Sequence, residues 1–256
     1  MNLIKKIFWY TINNLFKLIH KISLSHTYQK SKDQIRIQFR PGLRMLHKQI
    51  NRELYNQKLN WNKYIYANNY MYQGWDKIFI TGLRSTDSRI QEYKIEKYLN
   101  EKSTVLDIGC NTGFVSLALA NKVKKIYAID HNVHLINIGK IVSNYLGINN
   151  VDFIVGDVFN IKNNVRFDQI WSFASHDTND KGINIGLPLF FDRLDQLLKD
   201  KGTIVFESHE HDIKNNKFID EMKKITNNFK LKDFRFIKKY RFGSKRIKRY
   251  FYILEK

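Results

Sequence analysis

From about residue 86 to the end of the chain, two hydrophobic periods alternate. Short apolar runs rich in β-branched residues predict strands: STVLDIG, KIYAID, VDFIVGD, FDQIWSFAS and GTIVFES. Between them lie stretches with apolar residues three and four apart, which predict helices: GFVSLALANKV, NVHLINIGKIVSNYLG (ending on Gly147), LPLFFDRLDQLLKD and NNKFIDEMKKITNNF. DSRIQEYKIEKYL reads as a further helix, with Ser85 or Thr86 near its start. KLKDFRFIK and KRYFYILE read as a closing strand pair. Strands alternating with helices predict a mostly parallel sheet covered on both faces, and continuous apolar strands such as TIVF agree with that.

The first 79 residues do not follow this pattern. Ile4, Phe8, Ile12, Leu15, Ile19 and Ile22 fall at helical spacing, flanked by Lys5, Lys6, Lys17 and Lys21. Asn13, Asn14 and Lys17 interrupt the segment too much for a bilayer span, and it lacks the small-residue cleavage site of a signal peptide. A basic helix carrying Trp and Phe suits a membrane interface; packing of the stripe on the domain is the alternative. Residues 24–75 read as an irregular helical extension.

Charge sharpens the picture. The chain has 44 Lys and Arg against 24 Asp and Glu, a formal net charge of +20. Residues 1–50 hold ten of those bases against Asp33 alone, and residues 230–256 hold eleven against Asp233 and Glu255. A basic field concentrated at both ends attracts nucleic acid, an acidic membrane surface or a phosphorylated substrate; solvated faces and an AT-rich coding bias are the competing explanation. The single cysteine excludes an internal disulfide, so the expected compartment is the cytoplasm, with attachment to the inner membrane face if the first helix binds lipid.

The first strand-to-helix turn, DIGCNTG, carries the chemistry. Ligands of such sheets bind beyond the carboxyl ends of the strands. Gly109 and Gly113 allow a sharp turn and a close approach, and Asn111, where another glycine would be expected, tolerates a left-handed backbone. Asp130 ends the second strand, where a carboxylate can accept ribose hydroxyls. Asp157 ends the third, within reach of an adenine amino group. The G-x-G-x-x-G spacing of dinucleotide sites is missing, and Asp107 within the turn disfavours a phosphate and suits a cationic cofactor.

Taken in order, VLDIGCNTGFVSLALA, YAID, VDFIVGDV, FDQIWSFASH and GTIVFES resemble the class I S-adenosylmethionine-dependent methyltransferases over residues 80–256. The resemblance implies a Rossmann-like, doubly wound α/β domain whose sheet closes with an antiparallel strand, preceded by the helical extension 1–79. It implies S-adenosyl-L-methionine as cofactor. Asp107, Gly109 and Gly113 would surround its methionine end, with Cys110 and Asn111 in the same turn. Asp130, with His131 beside it, would hold the ribose; Asp157 and Val158 would flank adenine, and Ser172 and Phe173 would line the fourth strand's exit. GLRSTDSRIQEY resembles the approach to the cofactor in a subgroup that includes wobble-uridine tRNA-modifying enzymes. There Arg84 or Arg89 can pair with the cofactor's carboxylate, unless both are ordinary surface arginines.

His176 follows the fourth strand on the acceptor side and is the candidate general base, with Asp177 second; a capping or solvated loop histidine is the alternative. Glu207, His209 and His211 alternate along ESHEHD, but no further ligand closes a metal site, and Cys110 lacks an activating neighbour. Three functions remain open. One is O-methylation of a small or lipid-linked acceptor such as a glycan sugar; another is methylation of RNA, most readily tRNA, gripped by the basic ends. The third is a non-catalytic membrane or nucleic-acid adaptor, which the intact Asp107 and Asp130 disfavour. The membrane reading predicts that the full chain cosediments with vesicles containing anionic lipid and that a chain lacking residues 1–23 does not; equal sedimentation of both contradicts it.

Overall fold

The computed structural model describes residues 26–61, 71–176, 186–240 and 246–256. The amphipathic stretch 3–22 and Asp177 lie outside these residues. Two helices, α1 (His26–Ile37) and α2 (Pro41–Asn60), precede two very short parallel strands, β1 (Gln73–Gly74) and β2 (Arg84–Ser85). Helix α3 (Thr86–Tyr93) begins where expected, because Ser85 Oγ accepts the Ser88 N–H at 3.2 Å. It is shorter than the pattern predicted. Lys94 takes a left-handed conformation and ends it, and a 3-10 turn covers Ile95–Tyr98.

The alternating units follow: β3 (Thr104–Ile108), α4 (Phe114–Leu119), β4 (Lys125–Asp130), α5 (Val133–Leu146), β5 (Val151–Val155), β6 (Phe167–Phe173), α6 (Leu187–Leu197), β7 (Leu198–Glu207), α7 (Asn216–Thr226), β8 (Lys230–Tyr240) and β9 (Arg246–Glu255). The seven-stranded sheet has the order β5-β4-β3-β6-β7-β9-β8. All neighbours from β5 to β7 are parallel, and β9 inserts antiparallel to both β7 and β8. The winding reverses between β3 and β6, so the crevice for a ligand lies beyond their carboxyl ends. Helix α6 stops at Leu197, three residues short of the predicted end. Leu198 pairs with Phe167 while Thr203 pairs with Gln169, so the run between them bulges out.

Strand alternation divides the core in two. Val105, Ile126, Trp171, Val205, Phe251 and Ile253 face one side, under α3, α4 and α5; Leu106, Ile129, Ile170, Ile204, Phe206 and Leu254 face the other, under α6 and α7. The extension joins the first side. Ile37, Leu46, Ile50 and Leu54 belong to the same continuous core as the sheet. Helix α2 is latched to α5 by Glu53, which bonds His134 Nδ1 at 3.0 Å and Asn137 Nδ2 at 3.2 Å. One core thus crosses the expected boundary at residue 80. Among the described residues no helix is long and apolar enough to cross a membrane.

The glycines of this scaffold are not equivalent. Gly113 (φ +65°) starts α4, and a Cβ there would lie 2.4 Å from the Phe153 ring; Gly147 (φ +66°) caps α5 with nothing within 4 Å of its Cβ position. Gly147→Ala therefore costs only the left-handed strain, about 1 kcal/mol. Gly113→Ala adds a steric conflict of about 1–3 kcal/mol in the packed core. Urea unfolding of the two variants measures the difference; equal losses contradict it.

Candidate cofactor and acceptor site

The carboxyl edge of β3 is built from a tight turn. Gly109 (φ +64°), Asn111 (φ +57°) and Gly113 all adopt left-handed backbone. A Cβ on Gly109 would sit 2.4 Å from Ser175 Cβ, so the turn lies directly against the segment leaving β6. Gln73, from the extension, closes the other side. Its Nε2 donates to Cys110 O at 3.0 Å, and its Oε1 accepts from Thr112 Oγ1 at 3.1 Å and Phe114 N at 2.9 Å. One amide thus satisfies the first orphan N–H of α4, that of Phe114, and ties down the turn before it. Nothing in the hydrophobic pattern marked Gln73. Cys110 is buried and its thiol is pushed well up by that burial, which keeps it protonated.

Asp130 ends β4 with both carboxylate oxygens oriented by backbone donors, Asn111 N and Asn132 N, each at 2.9 Å. His131 beside it stacks on Trp61 at 6.0 Å, bringing the end of α2 to the rim. Asp157 is exposed beyond β5, where Oδ1 accepts the Phe159 N–H at 2.9 Å, and Val158 is buried in the second core. Ser172 is buried and shares a hydrogen bond with Ser175 at 2.8 Å. Phe173 stacks on Tyr93 at 4.7 Å.

Two charges stand at the turn. Asp107 is buried, and its Oδ2 accepts from Ser116 Oγ at 2.5 Å. Burial pushes its carboxyl up to about 7, although Ser116 and the positive field of Arg89 pull it down. Arg89, on α3 and 2% exposed, lies over the Tyr93 and Phe173 rings; its Nε donates to Tyr93 Oη, and its Nη1 has no hydrogen-bond partner among the described residues. Arg84 is placed differently. Its guanidinium bonds both oxygens of buried Glu207, at 2.8 and 3.2 Å. Both candidate arginines keep one buried, unpaired donor, but Arg84 is engaged by Glu207 and Arg89 is the one whose charge acts on Asp107.

On the opposite side of the turn, His176 meets a partner that the sequence did not mark. Its Nε2 lies 3.3 Å from Asp212 Oδ2, and the same oxygen accepts the His209 N–H at 2.6 Å. His176 is packed among Phe190, Phe206 and Phe218, and its Nδ1 is buried without a hydrogen-bond partner among the described residues. The 3-10 turn His211–Lys214 carries Asp212 to this position. Glu207, His209 and His211 do not converge as their alternation suggested: Glu207 turns to the arginines, while the two imidazoles stack at 5.2 Å beside Asp212. Among the described residues no group of three or more His, Cys, Asp or Glu is arranged to hold a metal ion.

Comparison with known proteins settles the family. A methyltransferase domain family matches residues 99–253. The chain belongs to it. Solved structures with this fold include the N-methyltransferase NodS from Bradyrhizobium japonicum in complex with S-adenosylhomocysteine, 14% identical with a TM-score of 0.53 over 66% of this chain and 85% of that one. A methyltransferase from Methanosarcina mazei is 17% identical, with a TM-score of 0.51 over 64% and 96% of the two chains. A tRNA methyltransferase of M. jannaschii is 21% identical with a TM-score of 0.46; the match covers 65% of this chain and about half (48%) of that one. A search of the curated proteins found no match.

The chain thus carries a methyltransferase domain, and its residues fit S-adenosylmethionine as the cofactor. The amino-acid end of the cofactor carries an ammonium and a carboxylate. The buried, unneutralised Asp107 and the open Nη1 of Arg89 offer the complementary pair of charges. A cation beside Asp107 favours its ionised form, so binding displaces a proton wherever the free carboxyl is protonated. Affinity for S-adenosylhomocysteine is therefore expected to rise as pH increases through about 7, by about tenfold between pH 6 and pH 8, with proton release measurable by calorimetry in two buffers. Asp107→Asn flattens the profile; a methyltransferase whose affinity is level with pH contradicts the assignment.

Proposed function

We propose that this methyltransferase transfers a methyl group to a hydroxyl of a small or lipid-linked acceptor, such as a sugar of a glycan. The observation that supports a hydroxyl is the His176–Asp212 pair, whose Nδ1 is buried and unpaired among the described residues. S-adenosylmethionine supplies an activated methyl group and departs as S-adenosylhomocysteine. The chain positions the reactants and manages the proton. An acceptor hydroxyl facing Nδ1 passes its proton to His176 as the new carbon–oxygen bond forms, and Asp212 steadies the resulting imidazolium through Nε2. Ser175, in contact with the Gly109 turn, keeps this base next to the cofactor loop. Arg89 holds the cofactor's carboxylate, the role for which Arg84 was the other candidate, and Asp130 the ribose. His209 is held neutral by burial and by the nearby His176 and Arg249, so it adds no second cation beside the base.

A second reading has its own support. A groove of about 650 Å³ between α1 and α2 is lined by Lys30, Arg44, Lys48 and Lys58 and, among the described residues, by no acid. Such a surface suits a polyanion, and RNA bound there would reach a site at the same edge of the sheet. The two readings separate experimentally. With labelled S-adenosylmethionine and a panel of lipid-linked glycans and tRNA, the small-acceptor reading predicts transfer to a glycan. His176→Ala should lower kcat by about a hundredfold or more, and Asp212→Asn by less, with cofactor affinity within about twofold of the parent. Transfer to tRNA, or activity unchanged in His176→Ala, overturns it.

A further inference from the structure

Three guanidinium groups converge on one buried carboxylate. Arg84 bonds Glu207 twice, Arg249 Nη1 approaches Glu207 Oε2 at 3.5 Å, and Arg89 reaches it through Tyr93, whose hydroxyl donates to the same oxygen at 2.6 Å. Strand alternation brings them together. Glu207 follows Val205, and Arg249 precedes Phe251, on the side of the sheet that faces α3. Glu207 is fully buried, and the Arg84 and Arg249 side chains are 9% and 11% exposed. One carboxylate cannot neutralise three guanidiniums. With Arg89 assigned to the cofactor, one positive charge still lacks a partner here.

Its donors are also only partly used. Among the described residues Arg84 Nε and Arg249 Nε are buried with no hydrogen-bond partner, and Arg249 Nη1 has only its 3.5 Å ion-pair contact with Glu207. Two buried guanidiniums sharing one carboxylate, with donors left unpaired, are disfavoured unless a further anion joins them. The field is felt by its neighbours. Burial should raise the Tyr72 phenol and the Glu207 carboxyl, yet Arg84 and Arg249 draw both below their ordinary range. Arg249 also lies in the electrostatic neighbourhood of His209, whose ring is 4.9 Å from that of His176.

We propose that Arg84 and Arg249, gathered on Glu207, bind a terminal carboxylate or phosphate carried by the methyl acceptor. The site rests on the acceptor reading above and deepens it: the anionic group docks one histidine away from the base that takes the hydroxyl proton. Planar two-point donors suit either oxyanion. Near-complete burial favours a terminal group of a small molecule over a phosphodiester within a long chain.

The test titrates sodium acetate and inorganic phosphate, separately, into the full-length protein saturated with S-adenosylhomocysteine, followed by nuclear magnetic resonance or calorimetry. Saturable binding of at least one anion is expected. Arg249→Gln should weaken it by about tenfold or more. Glu207→Gln, which removes the competing internal carboxylate while keeping its shape, should strengthen it by about fivefold. A purely structural cluster predicts no gain from Glu207→Gln. Absence of saturable binding, binding unaltered in Arg249→Gln, or anion binding that S-adenosylhomocysteine displaces each overturns the proposal, the last by assigning the site to the cofactor's own carboxylate. Failure of S-adenosylhomocysteine to bind refutes the cofactor assignment instead, and the anion titration of the protein alone still reads this cluster.

Discussion

A carboxyl group sealed at the end of β3, bonded to a serine and to no cation, is the constraint around which this site is organised. Asp107 cannot ionise comfortably where it sits, since burial disfavours its charge and Ser116 compensates only in part. The surrounding structure maintains this tension. The left-handed turn at Gly109, Asn111 and Gly113 wraps the edge of the sheet, Gln73 locks it from the extension, and Ser175 closes it from β6. A ligand that brings a positive charge to Asp107 and a negative one to Arg89 relieves both groups at once.

The same logic extends along the edge of the sheet. Period-two alternation places Asp107, Phe173, Glu207 and Arg249 on one side, under α3, which carries Arg89 and Tyr93. His176, His209 and Asp212 gather toward the α6 and α7 side. The His176–Asp212 pair and the arginine–Glu207 cluster thereby lie on opposite faces of the sheet. The extension takes part in this arrangement: α2 reaches the cofactor rim through Trp61 and fixes α5 through Glu53.

Strands, helix order and the cofactor turn were legible in the sequence because each depends on local signals: apolar period, caps such as Ser85 and Gly147, and glycines around a tight turn. The bulge after Leu198 was not, since a run of apolar residues into charged ones reads equally as the end of a helix. Choosing between Arg84 and Arg89 required knowing that Glu207, 123 residues away, captures the first. Asp212 was hidden within a segment that looked like metal ligands, and Gln73 carried no pattern at all. Long-range polar pairing leaves little trace in a hydrophobic period.

The most direct test of the central claim compares the affinities of S-adenosylhomocysteine and of 5′-methylthioadenosine, which lacks the amino-acid end, for the parent protein and for Arg89→Gln. Losing the amino-acid end is expected to cost the parent protein about tenfold or more in affinity and Arg89→Gln much less, because the ligand's carboxylate has then lost its partner. Equal losses in both proteins, or equal affinity of the parent for the two ligands, would show that the charges at the end of β3 do not read the cofactor's amino-acid end.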